Sequence, residues 1–162
     1  MSTKKEALTY YPLAVKLGKR RVVVVGGGIV AERKVDALRK AGARVRVVSP
    51  TVTPALRRLA RRDKIEWINR YVRKGDVRGA YIIVAATNDT ATNRAVNRWA
   101  GAQRIWINVV DKPVLSDFIS PAVFHANNAI LAVYTDGRDP KLSRDVKNYL
   151  KEHWDEFLSY RR

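Results

Sequence analysis

Gly26, Gly28 and Ala31, spaced G-x-G-x-x-A directly behind a run of four valines, are the residues of this sequence best suited to holding a phosphate. After a strand and before a helix, that spacing brings a pyrophosphate onto the helix N-terminus. Gly26 permits the sharp turn, Gly28 leaves room for the phosphate to reach bare backbone N–H groups, and Ala31 lets the helix pack close to the sheet. Further candidates stand where other strands should end. Thr87 and Asn88 follow the apolar run of GAYIIVAATND and face the nucleotide crevice, although Asn88 or Asp89 serves equally well as a helix cap. Asp111 closes the run INVVD and is the best-placed acid in the chain, read either as a functional carboxylate or as a turn aspartate before Pro113. Ser116 and Asp117 have weaker claims.

The elements that must position these residues follow from periodicity. The valine run is a buried parallel strand over 21–25, and the apolar stripe of Val30, Val35, Ala37, Leu38 and Ala41 makes 29–41 a helix ended by Gly42. Residues 44–48 form the second strand, 53–62 a short basic helix with Pro54 in its first turn, and 65–69 a third strand. A fourth strand ends at Ala85, Ala86 and Thr87, a helix spans 90–100, and a fifth strand runs into Asp111. Alternating Leu13, Val15 and Leu17 suit a short edge strand ahead of these, and 129–134 another strand after them. Asp139 as N-cap and Pro140 at the first helical position open a terminal helix, whose apolar stripe between positions 142 and 158 needs something to cover it. The expected fold is α/β, a Rossmann-type doubly wound parallel sheet, in which the carboxyl ends of the strands line the ligand crevice.

At the end of the second strand a nicotinamide-binding fingerprint places Asp or Glu against the adenosine ribose. This chain has Ser49-Pro50-Thr51 there, with Arg44, Arg46 and Arg57 nearby in sequence. A serine bonds a ribose hydroxyl without repelling a 2′-phosphate, so the residues leave NAD and NADP both open; Ser49 is equally well a residue that turns the chain.

With 162 residues and 46% hydrophobic content the chain has room for one sizeable core. It contains no cysteine, which excludes disulfides, a thiolate nucleophile and cysteine-based metal sites. Lys and Arg number 32 against 15 Asp and Glu, a net charge of +17 that attracts polyanions. The basic residues are spread along the sequence without an RRM or zinc-finger signature or a basic tail, so a small polycarboxylate substrate accounts for them as well as nucleic acid does. No apolar run is long enough to cross a bilayer and the start lacks the apolar segment of a signal peptide, so the expected location is cytoplasmic.

GGGIVAERK, then AATND, NVVDKPVLSDFISPA and a strand entering TDGRDP, in this order and spacing, resemble the precorrin-2 dehydrogenase family, the dehydrogenase and chelatase part of siroheme synthase. The NVVD and DFISPA block is far more specific than the glycines. The resemblance implies NAD-dependent oxidation of precorrin-2 to sirohydrochlorin, coupled in some members to insertion of ferrous iron. It implies a homodimer with an NAD-binding Rossmann domain over 1–112, a dimerisation region over 113–137 and a C-terminal helical segment over 138–162. Asp111 falls on the family's functional aspartate; Ile29, Val30, Pro50 and Thr51 fall on positions that contact NAD. In the family's serine-rich turn this chain carries Thr135. His125 and His153, the two histidines, read as structural or surface residues rather than iron ligands, which leaves the metal ligands unassigned. Precorrin-2 carries many carboxylates, so a basic protein suits it without nucleic acid as a partner. Two other classes fit the residues: an NAD-sensing regulatory module, which needs no acid at the crevice, and a nucleic-acid-binding Rossmann domain.

Overall fold

A computed structural model describes residues 10–110, 112–126 and 129–160. Valine-rich strands alternate with amphipathic helices, a pattern that builds a parallel sheet covered on both faces. In chain order the first part contains β1 (Arg21–Val25), α1 (Ile29–Lys40), β2 (Arg44–Val48), α2 (Pro54–Arg61), β3 (Glu66–Ile68), β4 (Ile82–Ala85), α3 (Thr90–Gly101) and β5 (Trp106–Val109). The five strands are parallel in the order β3-β2-β1-β4-β5. Chain direction across the sheet reverses between β1 and β4, the topological switch point where such sheets bind ligands.

One core lies on each face of the sheet. Val23, Val25, Ile83, Ala85, Ile107 and Val109 pack with Val96 and Ala100 of α3. Their neighbours Val24, Val47 and Val84 face the other way, against Ala31 and Val35 of α1 and Leu56 of α2. Helix starts are fixed by local side chains. Thr53 Oγ1 accepts the Leu56 N–H at 3.2 Å with Pro54 next to it, and Asp89, rather than Asn88, caps α3 through the N–H groups of Ala91 and Thr92.

Between β3 and β4 the chain is held by an ion pair whose aspartate is buried and whose arginine is half-buried. Arg70 donates from both terminal nitrogens to the two oxygens of Asp76 at 2.7 Å, and the Arg73 N–H adds a third bond at 2.6 Å. The Arg70 bond, helped by that N–H, holds the Asp76 carboxyl below its ordinary value against the opposing effect of burial.

The segment over 13–17 is not an edge strand. Leu17 is buried with Val22 and Ile82, and Val15 packs beside them, so these apolar residues cover a face of the sheet while its edges belong to β3 and β5. The β5 edge is itself closed by residues 116–118. The Ile107 N–H donates to Asp117 Oδ2 at 2.9 Å, the Asp117 N–H donates to the Ile107 carbonyl at 2.8 Å, and the Val109 N–H donates to Ser116 Oγ at 2.8 Å. Asn108 Nδ2 donates to the Phe118 carbonyl at 3.0 Å. An exposed row of strand N–H and C=O groups is a liability, and this segment satisfies it. The compact unit accordingly runs over Ala14–Phe118.

A second compact unit contains Ile119–Arg162 together with Met1–Leu13. Its described part holds an antiparallel hairpin, β6 (Ala122–Ala126) and β7 (Ala129–Val133), followed by α4 (Pro140–Glu152) and α5 (Trp154–Ser159). Strand β6 is an element that the sequence pattern does not announce. Asp139 caps α4, accepting the Leu142 N–H at 2.8 Å, with Pro140 at the first helical position. The single terminal helix expected is two helices broken at His153, whose ring stacks on Tyr149 with centroids 4.1 Å apart. Beyond the break Trp154 meets Phe124 edge-on and Phe157 at a tilt, so the turn serves to bring α5 aromatics onto the hairpin. No described helix is long and apolar enough to cross a membrane.

Candidate functional site

The strand register brings four sequence-distant turns to one edge. Val25 lies level with Val48 and Ala85, and Ala85 with Val109. The ladder continues past the strand ends: the Gly26 N–H donates to the Val48 carbonyl at 3.0 Å, the Ala86 N–H to Val25 at 2.8 Å and the Val110 N–H to Ala85 at 2.9 Å. The glycine turn, the 49–53 loop, Thr87 and the residue before Asp111 thus sit at consecutive carboxyl ends.

Within the glycine turn each position has its own constraint. Gly26 has φ of +117°, and a Cβ there would lie 2.3 Å from the Ala86 carbonyl oxygen. Gly27, an unspecified position in the phosphate-binding spacing, is as tightly confined: its Cβ would fall 2.0 Å from the Thr51 carbonyl oxygen, 2.8 Å from Val52 Cγ1 and 2.9 Å from Ser49 Oγ. The Gly27 carbonyl also accepts the Thr53 N–H at 2.9 Å, which pins the 49–53 loop to the turn. Only the presence of three consecutive glycines could have signalled this. Gly28 differs, with ordinary extended backbone at φ −81° and no heavy atom within 4 Å of an added Cβ. It is the N-cap of α1 and no side chain caps the helix there. A turn confined at two glycines and open at the third, in front of uncapped first-turn N–H groups, is a cradle that fits a dinucleotide pyrophosphate.

Around this cradle, Ile29 is 65% exposed although it begins α1, while Val30 is half-buried and Ala31 fully buried against the sheet. An exposed large apolar residue at the mouth suits contact with a ligand. Pro50 and Thr51 are exposed as well. Ser49 is buried, its carbonyl accepting the Trp67 indole N–H at 2.9 Å and its hydroxyl lying toward Gly27. Thr87 is committed to the entry of α3: its hydroxyl bonds Asn93 Oδ1 at 2.8 Å and accepts the Asp89 N–H at 3.2 Å, while Asn93 Nδ2 donates to its carbonyl at 2.9 Å. Asn88 is exposed at the same rim. The Asp89 carboxyl is held below its ordinary value, first by the Thr92 hydroxyl and then by the N–H groups it caps, so it stays anionic at the crevice rim.

Asp111 lies outside the described residues. Its neighbours are fixed: Val110 by the bond to Ala85, and Lys112 by its N–H to the Val109 carbonyl at 3.1 Å and its carbonyl to Ser116 Oγ at 3.2 Å. Ser116 and Asp117 serve the β5 edge and this turn. Asn108 Oδ1, buried on β5, has no hydrogen-bond partner among the described residues. The histidines lie in the other unit, His125 exposed on β6 and His153 at the end of α4, and the described residues contain no cluster of three metal-ligating side chains.

Comparison with known proteins agrees with this geometry. The family described as putative NAD(P)-binding matches residues 13–122. The siroheme synthase of Thioalkalivibrio sulfidiphilus is 40% identical over 144 residues, covering 89% of this chain and 29% of that protein. The siroheme synthase of Methylobacillus flagellatus is 39% identical over 140 residues, covering 86% of this chain and 30% of that protein. The chain therefore spans under a third of the length of these relatives. Among solved structures, SirC, a precorrin-2 dehydrogenase, superposes with a TM-score of 0.76 at 29% identity, covering 89% of this chain and 71% of that one.

Proposed function

We propose, since this chain belongs to the putative NAD(P)-binding family, that it is an NAD-dependent dehydrogenase that oxidises precorrin-2 to sirohydrochlorin. The observation that carries the reading is the cradle confined at Gly26 and Gly27 and open at Gly28. Similarity to siroheme synthases and to a precorrin-2 dehydrogenase supports the choice of substrate.

Bound NAD supplies the hydride acceptor. Gly26, Gly27 and Gly28 give the pyrophosphate backbone N–H groups without side-chain obstruction, and Ile29 and Val30 offer apolar contact beside it. Pro50 and Thr51 receive the adenosine end on a loop held by Gly27, with Ser49 beneath them, while Thr87 and Asn88 form the opposite rim. Asp111 is assigned as the base: as hydride leaves the macrocycle its carboxylate takes up the accompanying proton, so two electrons and two hydrogens leave the substrate together. NAD is preferred to NADP in this reading, and the site is cytoplasmic.

The reading extends to a homodimer associating through the 113–137 region and the terminal helices. Leu142, Val146, Tyr149 and Phe157 are exposed on α4 and α5, an apolar surface of the kind that self-association covers.

Asp111→Asn tests the assignment of the base. It keeps the fold and NAD affinity and lowers dehydrogenation by about 10²–10⁴-fold. A variant with weaker precorrin-2 binding but nearly the wild-type maximal rate would make Asp111 an orienting residue, and one indistinguishable from wild type would remove it from the site.

A further inference from the structure

The cations that the sequence spreads along its length are brought together by the fold. In a parallel sheet every strand starts at the same edge, and here the strand starts carry Lys19, Arg20, Arg21, Arg44, Arg78 and Arg104, all exposed. Their segments are hydrogen-bonded side by side: the Arg44 N–H donates to the Arg20 carbonyl at 2.9 Å, the Tyr81 N–H to Arg21 at 2.8 Å, and Arg21 Nη1 reaches the Arg78 carbonyl at 3.4 Å. Of the described acids on this side, Asp117 accepts the Ile107 N–H at 2.9 Å, Asp36 pairs with Lys40 at 2.7 Å, and Glu66 pairs with Arg46 at 2.8 Å. The turns at the switch point contrast with this. Residues 26–31, 49–55 and 86–91 contain a single charged side chain, Asp89. The six cations at the strand starts are therefore at the end of the sheet opposite the dinucleotide cradle, where a substrate bound beside NAD does not account for them.

Aromatic rings lie among these guanidinium groups. Tyr81 is 40% and Trp106 49% exposed, and together with Gly79, Gln103, Arg104 and Ile105 they line a cleft of about 430 Å³. Arg20 sits over the Tyr81 ring at 4.0 Å. The strand starts extend over about 19 Å, four spacings of about 4.8 Å. Protein interfaces are depleted of charge at their centres, whereas a positive groove with exposed aromatic rings is how sequence-tolerant single-strand binding is built.

We propose that this edge binds single-stranded nucleic acid, with phosphates on the arginines and a base in the Tyr81–Trp106 cleft, independently of the dinucleotide site.

The test is fluorescence anisotropy of a labelled oligonucleotide of about 12 nucleotides with the full chain across a salt series, repeated with Arg104→Asn and Trp106→Ala. Arg104 has φ of +54°, a conformation asparagine also accepts, so Arg104→Asn removes charge without disturbing the turn. Wild type binds with log affinity falling against log salt at a slope of about −3, for about four phosphates at −0.7 each. Each substitution weakens binding about tenfold, in the range found for a lost stack or phosphate contact, with melting temperature and NAD affinity unchanged. Absence of binding, displacement by NAD, binding to duplex as tight as to single strand and insensitive to Trp106→Ala, or equal binding of polyglutamate would each overturn the proposal; the last would assign the edge to an acidic protein. Because the readout is oligonucleotide binding, its failure leaves the dehydrogenase reading untouched.

Discussion

Adjacent glycines in the dinucleotide cradle should respond oppositely to the same added methyl group. In Gly27→Ala the new Cβ falls 2.0 Å from the Thr51 carbonyl oxygen, where a relaxed carbon–oxygen contact is about 3.3 Å, so the 49–53 loop must retreat by about 1.3 Å. That overpacking costs about 1–3 kcal/mol. Loss of the 2.9 Å bond from Thr53 to the Gly27 carbonyl adds about 1 kcal/mol. The variant should melt about 5–15 °C below wild type and bind NAD weakly because its adenosine loop is displaced. In Gly28→Ala no protein atom is met and the backbone is ordinary. The poorer capping by alanine, about 0.5–1 kcal/mol, is offset by about the same gain from a less flexible unfolded chain, so Tm should stay within a few degrees of wild type. The methyl group instead enters the space assigned to the pyrophosphate, and overpacking of about 1–3 kcal/mol there weakens NAD about 5–150-fold. Calorimetric titration and thermal melting on both variants separate the effects. If Gly28→Ala binds NAD like wild type, or Gly27→Ala melts like wild type, the cradle is wrongly assigned.

Three other outcomes are expected of the same structure. Because the folded state lowers the Asp76 pKa, the stability this group contributes is fully present above the unfolded carboxyl value of about 3.9 and is lost as pH falls through the folded value. Asp76→Asn should therefore melt about 3–6 °C lower at neutral pH, with the difference shrinking in acid; a constant difference from pH 7 to pH 2 would contradict the linkage. Titration should give tighter binding of NAD than of NADP, and the reverse order would mean that Arg57 and its basic neighbours govern the adenosine end. Sedimentation should give a dimer mass, with Tyr149→Glu shifting it toward monomer; a concentration-independent monomer would leave the exposed α4 face to another occupant.

The valine strands, the glycine turn and the Thr53, Asp89 and Asp139 caps are legible in the sequence because each rests on local pattern or a side chain within three residues of its partner. Val15 and Leu17 mislead because alternation reports only which residues seek burial, and the face of a sheet buries them as well as an edge strand does. The break at His153 is hidden because the apolar stripe continues through it, and what distinguishes the two helices is aromatic packing on a hairpin distant in sequence. Gly27 gives no signal beyond standing in a run of three glycines, since its constraint comes from the loop after β2, a contact between turns that no linear spacing records. Ser116 and Asp117 have some claim to chemistry as polar residues near a functional block, yet they complete the hydrogen bonding of β5. The total charge is plain from composition, but a parallel topology decides where it gathers.

Anaerobic incubation of the chain with precorrin-2 and NAD, following NADH at 340 nm and sirohydrochlorin by its absorption spectrum, tests the central claim most directly. NAD-dependent oxidation of precorrin-2 gives one NADH for each sirohydrochlorin, with turnover abolished or strongly reduced in Gly28→Ala and Asp111→Asn. Binding of NAD without any oxidation of precorrin-2 would contradict it and leave the chain as an NAD-sensing module.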